Sequence, residues 1–253
     1  MLSSIKKGTA LIETLAGGHK EWSVLELAAA TGMPPPTVHH FLASFRAAGW
    51  VTQDAQSKRY RLGVKLWEIG CSAVGFREVT ESARPYLREL MERCGETAHL
   101  GMVAPEDPLT VMYIDRVDSP QPVRVITEIG SKAPSYSSAM GKAIIAHNSA
   151  LQSAVLAASR SPVTEHTLVE ERALAEDLAA TRARGYSIAR GEFIGEMVGI
   201  AAPVYDRFGN VTLGIGIWAS STRMTPEYIE GAAVQLRLAA LNVSRRMGYM
   251  GAL

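Results

Sequence analysis

In a short helical pattern His39 and His40 lie opposite the apolar stripe Val38, Phe41, Leu42 and Phe45, with Thr37 and Ser44 at its margin. Hydroxyls and imidazoles placed this way can exchange hydrogen bonds with base edges and phosphate oxygens. Lys58 and Arg59 follow in a polar stretch between two strand-like runs, where cations suit a duplex backbone. The chemistry expected of these six residues is reading a double helix, with side chains on the helix reaching bases or phosphates and the hairpin holding the backbone. Arg46 is expected at the end of the helix, where its charge opposes the helix dipole.

Covalent chemistry finds no comparable constellation. Ser137 and Ser138 lack the Gly-x-Ser-x-Gly turn of a nucleophile elbow, and Gly214-x-Gly216 does not make a dinucleotide loop. Cys94 and His99 read as a helix end followed by a core strand, and Thr164, Glu165 and His166 as a surface loop. His99 and His147 are too isolated to hold a metal. The expectation is a protein that is not an enzyme and carries no cofactor or metal.

The elements that would position the reading residues are legible in order. Ser23 and Glu26 form a capping-box signature that opens a helix, and Thr31-Gly32-Met33-Pro34 stops it. A second helix follows at once and ends at Gly49. Trp50–Thr52 and Arg59–Leu62 then read as two strands around the turn Asp54–Lys58. Two helices joined by a short turn, followed by a hairpin, form the layout of a winged helix-turn-helix. A helix over Ile5–Ala16 braces it.

Among 253 residues, 47% are hydrophobic and the net charge is only +1. The charge is uneven: residues 1–76 hold eight Lys or Arg and five Asp or Glu, a net of +3, and phosphates feel the local patch. Two cysteines, no signal-peptide pattern and no apolar run long enough for a membrane span point to a cytoplasmic protein with no membrane partner.

Beyond a helical stretch over residues 63–75 and another over 79–94, with Pro85 interrupting its first turns, strand and helix patterns alternate. Strands are expected at 99–103, 110–117, 123–128, 185–190, 199–205 and 211–218, and helices at 138–147, 149–159, 170–184 and 226–247. The fold class is α+β: a DNA-binding domain over 1–63, a linker helix over 64–78 with the boundary near Ala73–Gly75, and a second domain over 79–253.

The chain resembles the IclR family of bacterial transcriptional regulators from end to end. The resemblance rests on Thr37-Val38-His39, Arg59-Tyr60-Arg61-Leu62-Gly63, Glu96-Thr97-Ala98-His99-Leu100, Arg116–Pro122, Met140-Gly141-Lys142-Ala143, Arg184-Gly185-Tyr186 and Ala201-Ala202-Pro203-Val204, all in family order. It implies a GAF-like effector-binding domain after the linker. It also implies a homodimer or homotetramer on palindromic double-stranded operator DNA and a small-molecule effector that relieves repression. Family members usually carry a basic residue and a serine where Pro35 and Pro36 stand here. Pro34, Pro35 and Pro36 remove three backbone donors from the place where helix amides grip phosphate, so the wing and a second subunit must contribute more. A dimerising adaptor without DNA binding is the alternative that these prolines raise.

Relatives that sense small keto or hydroxy acids use an Asp, a Cys and two Ser at the positions of Ala189, Gly199, Gly216 and Trp218. Losing four polar partners makes such a ligand improbable. The rest of the carried-over lining is apolar, with Val125, Ala139, Met140 and Met197, and Ser138 opens a helix whose free amides could seat a carboxylate. An aromatic acid such as a hydroxybenzoate, with its ring against Trp218, is the expected effector. The alternatives are a non-aromatic metabolite or a domain in which Trp218 fills the cavity and only oligomerisation remains. Tyr136 could contact the ligand or serve as a buttress.

Overall fold

The computed structural model describes residues 3–17, 21–72, 76–122 and 127–251. It divides into two compact units, Met1–Gly75 and Phe76–Leu253. The expected boundary residues 73–75 lie outside the described residues.

In the first unit, α1 (Ser3–Ala16) packs beside α2 (Val24–Thr31) and α3 (Pro35–Ala47) around Leu11, Leu15, Leu27, Val38 and Leu42. The Ser23 hydroxyl accepts the Glu26 amide while Glu26 accepts the Ser23 amide, and Gly32 closes α2 at φ +67°. That left-handed residue makes the tight turn into α3. The hairpin β1 (Val51–Gln53) and β2 (Tyr60–Leu62) is antiparallel, and Trp22 bridges to Tyr60 as a third edge. Then comes α4 (Val64–Ser72).

The second unit opens with α5 (Phe76–Cys94). This helix starts three residues before the expected position and runs through Pro85, so the proline lies in its middle rather than interrupting its first turns. A proline there removes only its own bond to the carbonyl four residues back, while Ala83, Leu87 and Leu90 bury the same face on both sides of it.

The strands are β3 (Ala98–Ala104), β4 (Asp107–Val117), β5 (Lys132–Pro134), β6 (Ser187–Arg190), β7 (Met197–Tyr205) and β8 (Val211–Ser220). They form one antiparallel sheet in the order β5-β4-β3-β8-β7-β6. Of the expected strand at 123–128, residues 123–126 lie outside the described residues. Thr127 and Glu128 are not in a strand, and the short β5 takes the edge beside β4 instead.

Alternation splits the sheet into two faces. Leu100, Ile200, Ala202, Ile215 and Ile217 pack on α5 and on α9 (Pro226–Arg246) through Leu236, Ala240 and Val243. On the opposite face the same strands carry Gly101, Gly199, Ala201, Gly214 and Gly216, and α6 (Ala139–Ala146) lies against it. A side chain at Gly101 or Gly214 would run into Met140, so the small residues let this helix approach closely. Two further helices, α7 (Ser149–Ala157) and α8 (Glu171–Arg184), close over α6 through Ile145, Val155, Leu174 and Leu178. No helix among the described residues is long and apolar enough to cross a membrane.

Candidate functional site

The first unit presents α3 as a reading surface. His39, His40 and Ser44 are exposed and Thr37 is half-buried, while Val38 and Leu42 anchor the opposite side. The Ser44 hydroxyl donates back to the His40 carbonyl at 3.1 Å, which leaves its lone pairs outward. No side chain caps α3: Pro34 is the N-cap, and its carbonyl accepts the Thr37 and Val38 amides at 2.9 and 3.1 Å. Pro35 and Pro36 have no amide to offer, so the first turn has no backbone donor left for a phosphate.

The wing is tied to both helices. Asp54 accepts the amides of Gln56 and Ser57 and the Ser57 hydroxyl, bonds that hold its carboxyl below the usual range. Lys58 sits at φ +57° with its side chain exposed at the tip. Its carbonyl accepts from Gln53 Nε2, and Gln53 Oε1 in turn accepts from Arg46, so Arg46 braces the wing in addition to standing in the last turn of α3. Arg59 is paired within the unit. Its Nη2 donates to both Glu26 oxygens at 2.8 and 2.7 Å and to the Glu21 carbonyl at 3.3 Å. That guanidinium clamps the wing to α2, and Lys58 is the cation the tip presents.

In the second unit, Ser138, Ala139, Met140, Ala189, Met197, Gly199, Gly216 and Trp218 all line one cavity. Val125 lies outside the described residues. Reasoning from the sequence missed His99, Tyr113, Glu192 and Phe193, which line the same cavity beside Ser137. Sheet register brings them in: His99 pairs with Gly216 and Trp218 with Gly199, pairings that no local pattern encodes.

The aromatic wall is built around Trp218. Its indole N–H donates to His99 Nε2 at 3.2 Å. Tyr113 and Phe193 lie nearly parallel to its ring, with centroids at 6.3 and 6.5 Å, and the His99 ring meets it edge-on at 5.8 Å. Because Nε2 accepts, His99 is neutral with its proton on Nδ1. Burial, with the Arg116 charge adding, pushes its pKa down to about 3. Burial likewise pushes the Tyr113 phenol up to about 12. Both stay uncharged at neutral pH.

The polar side of the cavity is the start of α6. Ser138 is its N-cap and accepts the Gly141 amide at 3.1 Å. The amides of Ala139 and Met140 bond to no acceptor among the described residues, and the Ser137 hydroxyl beside them is fully buried without a partner. The ammonium on α6 itself is neutralised. Lys142, fully buried, places Nζ 2.6 Å from Glu192 Oε1 and 2.9 Å from Asp177 Oδ2. Burial raises the Glu192 carboxyl and Lys142 opposes that rise. The Tyr136 hydroxyl donates to the Ser161 carbonyl, and Tyr136 is outside the cavity, so it is a buttress.

The glycines give less room than their size suggests. A Cβ at Gly216 would strike the Ile200 carbonyl, and one at Gly199 would meet Ala139 and Trp218. They are required by close backbone approach. Cys94 belongs to no nucleophilic pair, since burial and Glu96 push its thiol up to about 11. No cluster of metal-ligating side chains occurs among the described residues.

A reading helix with a tethered wing, followed by a sheet with an aromatic-walled cavity under a helix N-terminus, defines a one-component regulator: a unit that reads DNA and a unit that binds a small molecule. The chain belongs to the IclR family. Residues 4–55 match the IclR helix-turn-helix domain and residues 71–245 match the bacterial transcriptional regulator IclR C-terminal domain. It is 32% identical over 250 residues to the HTH-type transcriptional regulator KdgR of Escherichia coli, covering 98% of this chain and 94% of the relative. It is 30% identical over 251 residues to the transcriptional repressor IclR of the same organism, covering 98% and 91%. The fold is also that of an IclR homologue of Microbacterium hydrocarbonoxydans solved in complex with 4-hydroxybenzoate. That structure matches at TM-score 0.85 and 20% identity, covering 97% of this chain and 99% of the other. Members of this family are transcriptional regulators, not enzymes, and this chain is a ligand-responsive regulator of that family.

Proposed function

We propose that the protein represses a catabolic operon and is released from its operator by a small aromatic carboxylic acid. The observation that carries this reading is the cavity itself. Tyr113, Phe193 and Trp218 give a flat apolar wall, and the Ala139 and Met140 amides with the Ser137 hydroxyl offer unclaimed donors. A ring against the wall and a carboxylate at the helix start satisfy both. A solved neighbour of the same fold holds 4-hydroxybenzoate, and a 30% identical relative is named a repressor, which supports the same direction.

On the DNA side the reading assigns contacts to Thr37, His39, His40, Ser44 and Lys58, with Arg59 setting the wing's position. The segment 64–78 serves as the link, and a homodimer or homotetramer engages a palindromic site. The bare first turn of α3 favours assembly, because two reading units double the number of phosphate contacts.

The test is a thermal-shift panel followed by gel shifts on the DNA upstream of the protein's own gene. 4-Hydroxybenzoate and benzoate are expected to raise the melting temperature and weaken the shifted band, with pyruvate inert. Stabilisation by pyruvate alone would sink the aromatic reading. Absence of any shifted band would favour the adaptor reading instead.

A further inference from the structure

At the other end of β7 from the cavity, Arg182, Arg184 and Arg237 line a recess together with His147, Pro203 and Tyr205. No acidic residue lines it, and none of the three arginines is in an ion pair among the described residues. Two of the guanidiniums are oriented by neutral groups. Arg182 donates to the Ala146 carbonyl at the end of α6 and to Gln152 Oε1, and Arg184 to the Tyr186 carbonyl and the Thr181 hydroxyl. Arg184 also lies over the Tyr186 ring at 5.4 Å. Arg237, exposed on α9, makes no hydrogen bond among the described residues, and its Nε packs against Gly185, the left-handed residue that ends α8 at φ +78°.

The carbonyls at the ends of α6 and α8 account for part of the positive charge there. They offset partial charges, whereas three full charges converge on the recess. The half-buried His147 registers the excess: burial and the Arg182 charge hold its imidazole below its ordinary value. The nearest acid along β7, Asp206, is occupied by the amides of Phe208 and Asn210 in the following turn. Tyr205 supplies an aromatic floor, stacked on Tyr249 at 4.8 Å and edge-on to His147 at 6.0 Å.

We propose that this recess is a second ligand site, separate from the aromatic cavity, for a small phosphate monoester. The dianionic head would take the unclaimed N–H groups of Arg237, with those remaining on Arg182 and Arg184. The organic remainder would lie on Pro203 and Tyr205. Guanidiniums held by neutral acceptors are preorganised without being neutralised, which is the arrangement a phosphate dianion requires.

The test is calorimetric titration of the full-length protein at constant ionic strength and pH 7.5 with phenyl phosphate, inorganic phosphate and benzoate. Phenyl phosphate is expected to bind saturably and more tightly than inorganic phosphate. Arg237→Gln removes a side chain without a partner among the described residues, so it should keep the melting temperature of the unliganded protein. It should weaken phenyl phosphate about tenfold or more, as loss of a charge-assisted contact does. Trp218→Ala, which alters the other cavity, should leave phenyl phosphate binding in place. The proposal is overturned if no phosphate probe saturates, if Arg237→Gln binds like the wild type, or if Trp218→Ala abolishes phosphate binding. An oligoglutamate peptide that binds in an Arg237-dependent way while phenyl phosphate does not would overturn it in favour of an acidic protein partner.

Discussion

Arg59 Nη2 lies 2.7 Å from Glu26 Oε2, so the residue that closes the capping box of α2 also receives the wing. One carboxylate therefore fixes the start of the helix-turn-helix and the orientation of the hairpin beside it. The Ser23 amide and the Arg59 guanidinium hold its pKa near 2, below the ordinary 4.5. A carboxyl depressed on folding adds stability that is complete above its unfolded value and is lost as pH falls from about 4.5 towards 2. Glu26→Gln is expected to weaken the wing at neutral pH and to flatten the acid limb of unfolding of the first unit. Urea melts monitored by Trp fluorescence between pH 2 and 6 check this, and an unchanged acid limb would count against it.

Arg59 and Lys58 should separate in their effects on DNA. Lys58→Ala is expected to lower operator affinity and reduce the slope of affinity against salt, because an exposed cation that meets a phosphate releases counterions. Arg59→Ala should lower affinity by loosening the wing, with little change in that slope. His40→Ala should lower affinity without changing the slope. Gel-shift titrations at two salt concentrations distinguish these, and Lys58→Ala binding like the wild type would remove the wing tip from the interface.

Breaking the Lys142 cluster should cost stability. Lys142→Ala leaves Glu192 and Asp177 facing each other without their ammonium, a situation worth about 3–5 kcal/mol of destabilisation. Chemical denaturation followed by circular dichroism measures it. A loss below about 1 kcal/mol would mean the cluster relaxes into solvent.

His99 makes the second unit acid-sensitive. Its imidazole is held near 3 when folded against 6.5 for the exposed group. The unfolded chain therefore binds the extra proton first, and stability falls as pH drops from about 6.5 towards 3. The slope contributed approaches about 1.4 kcal/mol per pH unit. His99→Gln should remove that slope in melts of the second unit, and persistence of the full slope would assign it to other groups.

Trp218→Ala should abolish the thermal shift given by aromatic acids. It removes the ring that Tyr113 and Phe193 flank and the donor to His99. Because Trp218 is only half-buried, the unliganded protein should stay folded by circular dichroism. A retained ligand shift would move the binding site away from this wall.

Local sequence was enough for the first unit. Ser23 and Glu26 announce a cap, Gly32 a turn, Val38–Phe45 a buried stripe and Asp54–Lys58 a hairpin loop, because each signal acts within a few residues. Resemblance supplied seven cavity residues, from Ala139 to Trp218, since family order maps positions without geometry, and the helix-start signal supplied Ser138. It could not supply His99 or Tyr113, whose approach to Trp218 depends on strand pairing across more than a hundred residues of chain, nor Phe193, which stands in the loop between β6 and β7.

The sequence by itself determined the helices, the wing and the three prolines that strip donors from the first turn of α3. It also determined the alternation that sends Leu100, Ile200 and Ile215 to one face of the sheet. Only the tertiary structure decided which charges are available. Arg59 is taken by Glu26 and Lys142 by Glu192 and Asp177, while Arg182, Arg184 and Arg237 meet without an acid. A side chain's charge is written in the sequence, but whether another charge cancels it depends on distances of a few ångströms that only folding sets.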